Sequence, residues 1–211
     1  ATFGTIVGVA LGIPLGVLAA VRRGSLADQL VRLAGLAGYS IPIFWLALMG
    51  LIVFYANLRW VAYPGRIDVV YEYTFTPITG LYLLDAVIQR QWDVAWDVFR
   101  HIVLPGCLLG YFSLAYVSRM TRSFMLNELG QEYIVAARAS GVPEHVTLFR
   151  LALKNAIAPT LTVLGLAFVY ALTGALLVEV IFSWPGLGTY VTDAILNVDF
   201  PVIITVTLIS T

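Results

Sequence analysis

The side chains most often used for catalysis and metal binding are scarce in this sequence of 211 residues. It holds one cysteine, Cys107, and two histidines, His101 and His145, and neither histidine has the spacing of a metal ligand. The single lysine, Lys154, does not follow the glycine-rich pattern of a Walker-type phosphate cradle. We therefore predict no catalytic residue, no metal site and no cofactor-binding residue. We interpret Cys107 as a packing residue, and we expect that this chain cannot hydrolyse ATP by the Walker route alone.

Glu179 is an ionisable residue close to a long apolar run, where a charge is expensive and usually functional. It lies about one helical turn from Trp184, an aromatic residue typical of the membrane interface. One interpretation makes it a structural carboxylate at that interface. The other places it in a transport pathway or outer gate, together with Ser183 and Trp184. No carboxylate or histidine occupies the middle of an apolar run in the way that a proton relay requires.

The composition indicates a membrane protein. Hydrophobic residues make up 60% of the sequence, charged residues only 11%, and the mean hydropathy is +0.91. Soluble domains carry about 25% charged residues. The formal net charge of zero argues against a nucleic-acid partner, because phosphate binding requires a basic surplus.

Long apolar runs predict membrane-spanning helices, since a hydrocarbon core of about 30 Å needs roughly 20 helical residues. Internal Gly and Pro are tolerated where neighbouring groups satisfy the backbone. The last run covers only about half of the core. We predict an all-α, polytopic helical membrane protein with about five spans, the last one incomplete. The runs are 2–21, about 33–58 with Pro42 inside it, about 102–117, about 156–182, and 201–210.

The ends of the sequence carry no sign of a signal peptide. Ala1 leads directly into apolar sequence, without a methionine, a basic region or a cleavage site. Both ends look cut, so we expect residues 1–211 to form the transmembrane domain of a larger protein, truncated on both sides.

Arginine and lysine predict the orientation, because they are enriched in cytoplasmic connections. Eight lie in the connections after the first and third spans, against four in the alternate connections. The first and third connections are therefore predicted to face the cytoplasm. The eight are Arg22, Arg23, Arg32, Arg119, Arg122, Arg138, Arg150 and Lys154; the four are Arg59, Arg66, Arg90 and Arg100.

Residues 59–101 form a long, aromatic-rich connection on the predicted outer side. On a helical wheel, 81–100 separates an apolar arc from a polar one, with Trp92 on the apolar side. One interpretation is an interfacial helix anchored by tryptophans. A second, compatible interpretation is a docking surface for an extracytoplasmic partner. After the fourth predicted span, the segment 182–188 contains a Pro-Gly turn, and 190–197 is predicted as a short interfacial helix.

Residues 119–155 form the predicted cytoplasmic element. Residues 128–140 favour a helix, and Gly141 suits the residue after a helix end, where φ is positive. Pro143 fits the first turn of a new helix, and Glu144 complements its dipole. The pattern predicts a helix, a sharp corner and a second helix. Spacing alone is also compatible with an ordinary re-entrant loop.

On these residues the chain resembles the inner-membrane permease subunits of ABC importers, in the dipeptide/oligopeptide/nickel branch. The general family signature reads Glu-Ala-Ala, three residues, Gly, nine residues, Ile-x-Leu-Pro. Here Val135 replaces its glutamate and Lys154 its proline. The branch pattern Tyr-Ile-x-x-Ala-Arg-Ala-x-Gly is similar to 133–141. The segments 119–123, 182–188 and 39–46, and Lys154-Asn155 followed by Pro159, also resemble that branch, the 39–46 segment in its first permease type.

The resemblance implies a six-span type I importer permease in the cell (inner or plasma) membrane. It implies a second related permease, two ATPase subunits that hold ATP and Mg²⁺, and an extracytoplasmic solute-binding protein. The cytoplasmic element would seat in the ATPase and couple its closure to the spans. The contact residues carried over are Glu132, Tyr133, Ala136, Ala137, Arg138, Ala139, Gly141 and Val142.

Two alternatives stay open from the residues themselves: a secondary transporter, which would be expected to show buried carboxylates, and a channel, which can be lined by backbone and hydroxyls. The substrate is not assigned, because relatives serve peptides, nickel chelates and other solutes. Gly8, Gly12 and Gly16, spaced four apart, are candidates for a helix–helix contact face.

Overall fold

The computed structural model describes residues 2–210, apart from the side chains of residues 173, 209 and 210, and its regular elements in that range are helices. The predicted all-α class is confirmed. The helices are α1 Thr2–Val21, α2 Leu26–Ser40, α3 Ile43–Gly50 with a π-helical continuation Leu51–Asn57, α4 Val69–Glu72, α5 Tyr82–Ile88, α6 Trp92–Leu129, α7 Glu132–Ala139, α8 Glu144–Val146 with a π-helical continuation Thr147–Ala152, α9 Leu153–Ile181, α10 Leu187–Leu196 and α11 Phe200–Ser210.

Three helices of the described chain are long and apolar enough to cross a membrane: α1, α6 and the continuous run Glu144–Ile181. The pair formed by α2 and the α3 segment passes the same test only when its two members are taken together, which gives up to four spans. The first predicted span coincides with α1, the third falls inside α6, and the fourth, about 156–182, ends one residue beyond α9. The incomplete fifth corresponds to α11, which has 11 residues.

The second predicted span, about 33–58, is a bent pair of helices rather than one continuous helix. It breaks between Ser40 and Ile43, where Ile41 takes extended dihedrals of −94° and 124°. The cause is Pro42, whose ring excludes the α region for the preceding residue and which has no amide hydrogen to continue the helix.

The chain divides into two compact units. The first comprises Ala1–Ile41 and Leu109–Leu172, and the second comprises Pro42–Leu108 and Thr173–Thr211. The helices α6 and α9 contribute to both units, because their residues fall on either side of the divisions.

In the first unit, α1 packs against the later part of α6 through its glycines. Gly8, Gly12 and Gly16 are all buried. A Cβ atom on Gly12 would lie 3.0 Å from the Cβ of Val117, and one on Gly16 would lie 2.7 Å from the Cβ of Thr121. These separations leave no room for a side chain, so the predicted contact face of small residues is confirmed.

In the second unit, the long connection 59–101 has its own small core. Phe75 and Ala86 pack with residues of the first turns of α6, including Val98, which is 1% exposed. The ring of Tyr82 lies 5.8 Å from that of Phe75. This core fixes α5 and the start of α6 against the loop that precedes them.

The predicted single helix over 81–100 is two helices, and the prediction of one continuous wheel was wrong. The first of the two, α5, ends at Ile88, and Arg90 adopts a left-handed φ of 57° before α6 begins. The Gln91 amide donates to the Ala86 carbonyl at 2.9 Å, which closes the end of α5 in the manner usually supplied by glycine. Nothing in the residue type of Arg90 signals this stop.

Candidate partner-contact element

The helix–corner–helix predicted within 119–155 is present, and we call residues 132–146 the corner element. Gly141 has a φ of 75°. Its amide donates to the Arg138 carbonyl at 3.0 Å, and the Val142 amide donates to the Ala137 carbonyl at 3.0 Å. This pair of bonds is a Schellman motif, which satisfies the last carbonyls of α7 and turns the chain sharply.

The two helix boundaries of the corner element differ slightly from the predicted ones. The predicted helix 128–140 is divided, because α6 runs to Leu129 and α7 begins only at Glu132. Pro143 lies immediately before α8 rather than in its first turn, and its carbonyl accepts the Thr147 amide at 3.1 Å. The helix that starts there continues without interruption to Ile181. The corner element is therefore joined directly to one long helical run.

Ile134 fixes α7 to the body of the first unit. Its side chain is 0% exposed and packs in a cluster with Met125 of α6 and Ala152, which precedes α9. Val17 of α1 belongs to the same cluster. Ile134 is therefore the buried anchor of a helix whose other residues are exposed, apart from the half-buried Ala137.

The predicted contact residues form the outward surface of the corner element. Ala137 and Val142 are half-buried, and the other six are exposed. Small alanines on an exposed helix leave the backbone accessible to a close-fitting partner. The exposed six are Glu132, Tyr133, Ala136, Arg138, Ala139 and Gly141.

An ion pair spans the corner. Arg138 donates to the Glu144 carboxylate through Nη2 at 2.7 Å and through Nε at 3.2 Å. The hydrogen bonds to Glu144 raise the pKa of the Arg138 guanidinium. Both side chains are about half exposed, so solvent screens the pair and its effect on stability is small. Its bidentate geometry instead restricts the angle between α7 and α8.

Tyr133 joins the corner element to both flanking helices. Its hydroxyl donates to Glu128 Oε2 at 2.5 Å and accepts from Asn155 Nδ2 at 2.9 Å. Partial burial raises the pKa of the Tyr133 phenol, and the Glu128 carboxylate raises it further. The hydroxyl therefore remains a neutral donor at physiological pH.

A buried ion pair in the first unit was not predicted. Asp28 is 1% exposed and accepts from Arg122 Nε at 2.6 Å and Nη2 at 2.9 Å. The Gly24 amide donates to the same carboxylate at 2.9 Å. The only signal in the sequence was the resemblance of 119–123 to a family motif, which did not identify the partner.

The predicted gate residues lie around the turn after α9. The Glu179 carboxylate accepts the Gly188 amide at 2.7 Å, at the start of α10. Ser183 adopts a φ of 49°, and the Trp184 amide donates to the Glu179 carbonyl at 2.8 Å. This geometry fits the structural interpretation of Glu179, while its role in a gate stays a prediction. The predicted short helix after the turn is present as α10.

A second buried carboxylate organises the long connection. Asp85 is 0% exposed and accepts hydrogen bonds from the backbone amides of Ile78, Thr79 and Gly80 at 3.0–3.1 Å. The Thr79 hydroxyl donates to it at 2.6 Å. Burial alone would raise the pKa of Asp85, but these hydrogen bonds outweigh it and lower the pKa below its ordinary value. The Asp85 carboxylate therefore holds the backbone of residues 78–80 in its folded conformation.

Beside its buried core, the long connection carries exposed apolar residues. Trp92 and Trp96 are 66% and 63% exposed, which suits both the interfacial and the docking interpretation. Cys107, which we expected to be a packing residue, is exposed on α6. Among the described residues, no group of three or more His, Cys, Asp or Glu side chains is placed to hold a metal ion.

Comparison with known proteins gives the same assignment as the motifs. The chain is 44% identical over 192 residues to a di/tripeptide transport system permease protein of Pseudomonas aeruginosa (91% of this chain, 56% of the relative). It is 42% identical over 193 residues to a probable D,D-dipeptide transport system permease protein of Escherichia coli K12 (92% and 56%). It is 37% identical over 196 residues to a peptide transport system permease protein of Salmonella typhimurium (92% and 60%).

The chain thus spans somewhat more than half the length of these relatives, which are named as transport permeases and not as enzymes. Residues 12–211 match the family described as binding-protein-dependent transport system inner membrane component. With its long apolar helices, this chain is a multi-pass membrane protein that belongs to that family.

Proposed function

We propose that this chain is part of the permease subunit of an ATP-driven ABC importer for short peptides. The permease forms half of a translocation pathway and pairs with a second, related permease. Two ATPase subunits hold ATP and Mg²⁺, and a solute-binding protein delivers the peptide from outside. The relatives' names, which refer to dipeptide and peptide transport, support this substrate class.

The observation that carries the proposal is the corner element. Its contact residues are exposed, yet its shape is fixed by Ile134 below and by the Gly141 turn at its end. A fixed, protruding shape suits insertion into a cleft, because little conformational entropy is lost on binding. Movement of the ATPase cleft would then be passed through α8 into the continuous helix that ends at Ile181.

The proposal places the corner element on the cytoplasmic side, in agreement with the excess of arginine in its connection. It assigns the contact to Glu132, Tyr133, Ala136, Ala137, Arg138, Ala139, Gly141 and Val142. Glu179, Ser183 and Trp184 would lie near the outer end of the pathway.

Uptake by the full-length permease, assembled with its partners in proteoliposomes, tests the function. We expect radiolabelled alanyl-alanine to accumulate only when ATP is present on the ATPase side of the membrane, inside the vesicle, and the binding protein is present outside. Ala139→Trp should reduce uptake at least tenfold by blocking close approach of the ATPase. Ala34→Trp, at an exposed helical alanine outside the element, is the matched control and should leave uptake unchanged.

Two outcomes would overturn the proposal. Uptake that follows a proton gradient without ATP would favour a secondary transporter. Normal uptake and normal ATPase association in both Ala139→Trp and Ala136→Trp would remove the corner element from the contact.

A further inference from the structure

The long connection and the π-helical segment Leu51–Asn57 before it line a polar cavity of about 470 Å³. Its volume lies in the range of small-molecule sites, roughly 300–1,000 Å³. All of its lining residues belong to the second unit, and five of them carry the argument: Arg59, Asp68, Asp97, Arg100 and His101.

The cavity contains charges of both signs that do not neutralise one another. Among the described residues, neither Arg59 nor Arg100 forms an ion pair with a carboxylate. Arg100 donates one hydrogen bond, through Nη2 to the Arg59 carbonyl at 3.3 Å. The remaining guanidinium donors are available to an anionic group, and a guanidinium fork matches a carboxylate well.

The two carboxylates in the cavity are only partly used. Asp97 accepts the Asp68 amide at 2.8 Å, and its Oδ2 lies 3.5 Å from His101 Nδ1. Asp68 Oδ1 accepts the Val70 amide at 2.9 Å. A carboxylate has about four lone-pair sites, so both groups retain acceptor capacity for an ammonium group.

His101 supplies an unsatisfied buried polar atom in the same place. The residue is 4% exposed, and its Nε2 has no hydrogen-bond partner among the described residues. Its Nδ1 lies 2.8 Å from the Asp97 carbonyl oxygen, and the Tyr63 ring packs edge-on against it at 5.3 Å. His101 therefore forms part of the cavity wall, with its Nε2 shielded from solvent.

We propose that this cavity binds a short peptide with free termini, whose α-carboxylate pairs with Arg59 and Arg100 and whose α-ammonium pairs with Asp68 and Asp97. A zwitterion is the ligand that satisfies both sets of unpaired charges at once. The inference rests on the proposed function and adds to it a binding site on the permease itself, on the predicted outer side.

Arg59→Gln tests the site, because the Arg59 side chain makes no hydrogen bond or ion pair within the described chain that its removal would break. Arg90→Gln is the matched control, since Arg90 is also exposed, lies in the same connection and has a similar left-handed φ of 57° against 55° for Arg59. The permease–ATPase complex would be prepared in nanodiscs of phosphatidylglycerol and phosphatidylcholine, without the binding protein. Alanyl-alanine, its C-terminal amide and N-acetyl-alanyl-alanine would be titrated by calorimetry.

We expect wild type and Arg90→Gln to bind alanyl-alanine alike and at least tenfold more tightly than either blocked peptide. Arg59→Gln should bind alanyl-alanine at least tenfold more weakly and should lose the preference over the amide. If Arg59→Gln does not fold, Arg59→Lys, which keeps the charge but not the fork, should give a smaller loss in the same direction.

Equal binding of the free and amidated peptides by wild type, or unchanged binding by Arg59→Gln, would overturn the inference. The inference would also be overturned if Arg59→Gln, prepared from native membranes, lost co-purifying phosphatidylethanolamine rather than peptide. The zwitterion bound in the cavity would then be a lipid headgroup. ATP-driven uptake by the same variants in proteoliposomes, with the binding protein outside, tests the function separately. Uptake by wild type without the predicted peptide selectivity in the calorimetry contradicts the site alone, and absence of uptake contradicts the function.

Discussion

At the scale of single residues, Gly141 determines the shape of the corner element. Its φ of 75° lies in the left-handed region, where a side chain costs roughly 1–2 kcal/mol. No atom lies within 4 Å of a Cβ built at Gly141, so a substitution there meets backbone strain rather than a clash. A substitution at Gly141 therefore tests the backbone conformation of the turn without changing side-chain packing.

We expect Gly141→Val to reduce ATP-driven uptake several-fold, because the strained turn changes the angle at which the corner element meets its partner. Gly141→Asn should retain most of the activity, since asparagine tolerates the left-handed region. Uptake in proteoliposomes and co-purification of the ATPase measure the effect. Gly130→Val, at a glycine that has no left-handed φ, is the control. Equal activity in the Val and Asn variants at 141 would contradict this role for the turn.

Asp85 gives the long connection a predictable dependence on pH. The pKa of this carboxyl is lower in the folded protein than its ordinary value of about 3.9. The folded state therefore binds protons less readily than the unfolded state. The resulting stability is complete above the ordinary pKa and is lost as the pH falls through the folded pKa.

We expect amide hydrogen exchange in 76–82 to stay slow from pH 7 to about pH 5, after correction for the intrinsic rate, and to accelerate below about pH 4. Asp85→Asn should remove this acid transition and exchange faster at pH 7, because it loses the charge-assisted hydrogen bonds. Asp93→Asn, at an exposed carboxylate nearby, should behave like wild type. An acid transition that survives in Asp85→Asn would assign it to another group.

At the scale of elements, helix ends distinguish what the sequence could predict from what it could not. Gly141 marks the end of α7 in the sequence, because glycine is the usual residue in the left-handed position after a helix. Arg90, Ser183 and Val198 occupy the same conformation with φ of 57°, 49° and 57°, and no residue preference points to them. Val198 is the least expected, since its branched Cβ makes that conformation costly. A backbone hydrogen bond closes each of these three helix ends, from the amide of the next residue to a carbonyl of the last turn.

Apolar patterns predicted the long helices well and their interruptions poorly. The first span was assigned to 2–21 and is found there, because length and hydropathy alone define it. Pro42 was treated as a tolerated proline, as Pro14, Pro105 and Pro159 are inside their helices. Whether a proline kinks or ends a membrane helix depends on neighbours that replace the lost hydrogen bond, and sequence spacing does not show those neighbours.

The contact between α1 and α6 should fail when the glycine stripe is filled. In Gly16→Val, the added Cβ would lie 2.6 Å from the Ser118 carbonyl oxygen and 2.7 Å from the Thr121 Cβ. We expect a loss of about 1–3 kcal/mol, the usual cost of overpacking, measured as a lower thermal midpoint of the full-length protein in detergent. Gly165→Val, at a helical glycine with open space around it, is the control. Equal midpoints for the two variants would mean that the helices separate without cost.

At the scale of the whole molecule, pairs distant in the sequence lay beyond prediction. Asp28 and Arg122 are 94 positions apart, and their ion pair joins α2 to α6 within the first unit. The count of Arg and Lys residues predicts that the connection before α2 and the one after the third span face the same side of the membrane. This is consistent with such a contact, but the count could not select the two partners. The same limit applied to the polar cavity, whose charges come from separated parts of 59–101.

The orientation of the chain is the prediction on which the proposed coupling depends. On a Cys107→Ser background, Ser140→Cys places a thiol on the exposed corner element, and Tyr73→Cys places one in the long connection, where Tyr73 is 86% exposed. A membrane-impermeant maleimide should label the 73 variant in right-side-out vesicles and the 140 variant only in inverted ones, because arginine-rich connections are retained inside. Added ATPase subunits should then protect position 140 and leave position 73 unchanged. Labelling of position 140 from the outside would invert the topology and remove the corner element from reach of any cytoplasmic ATPase.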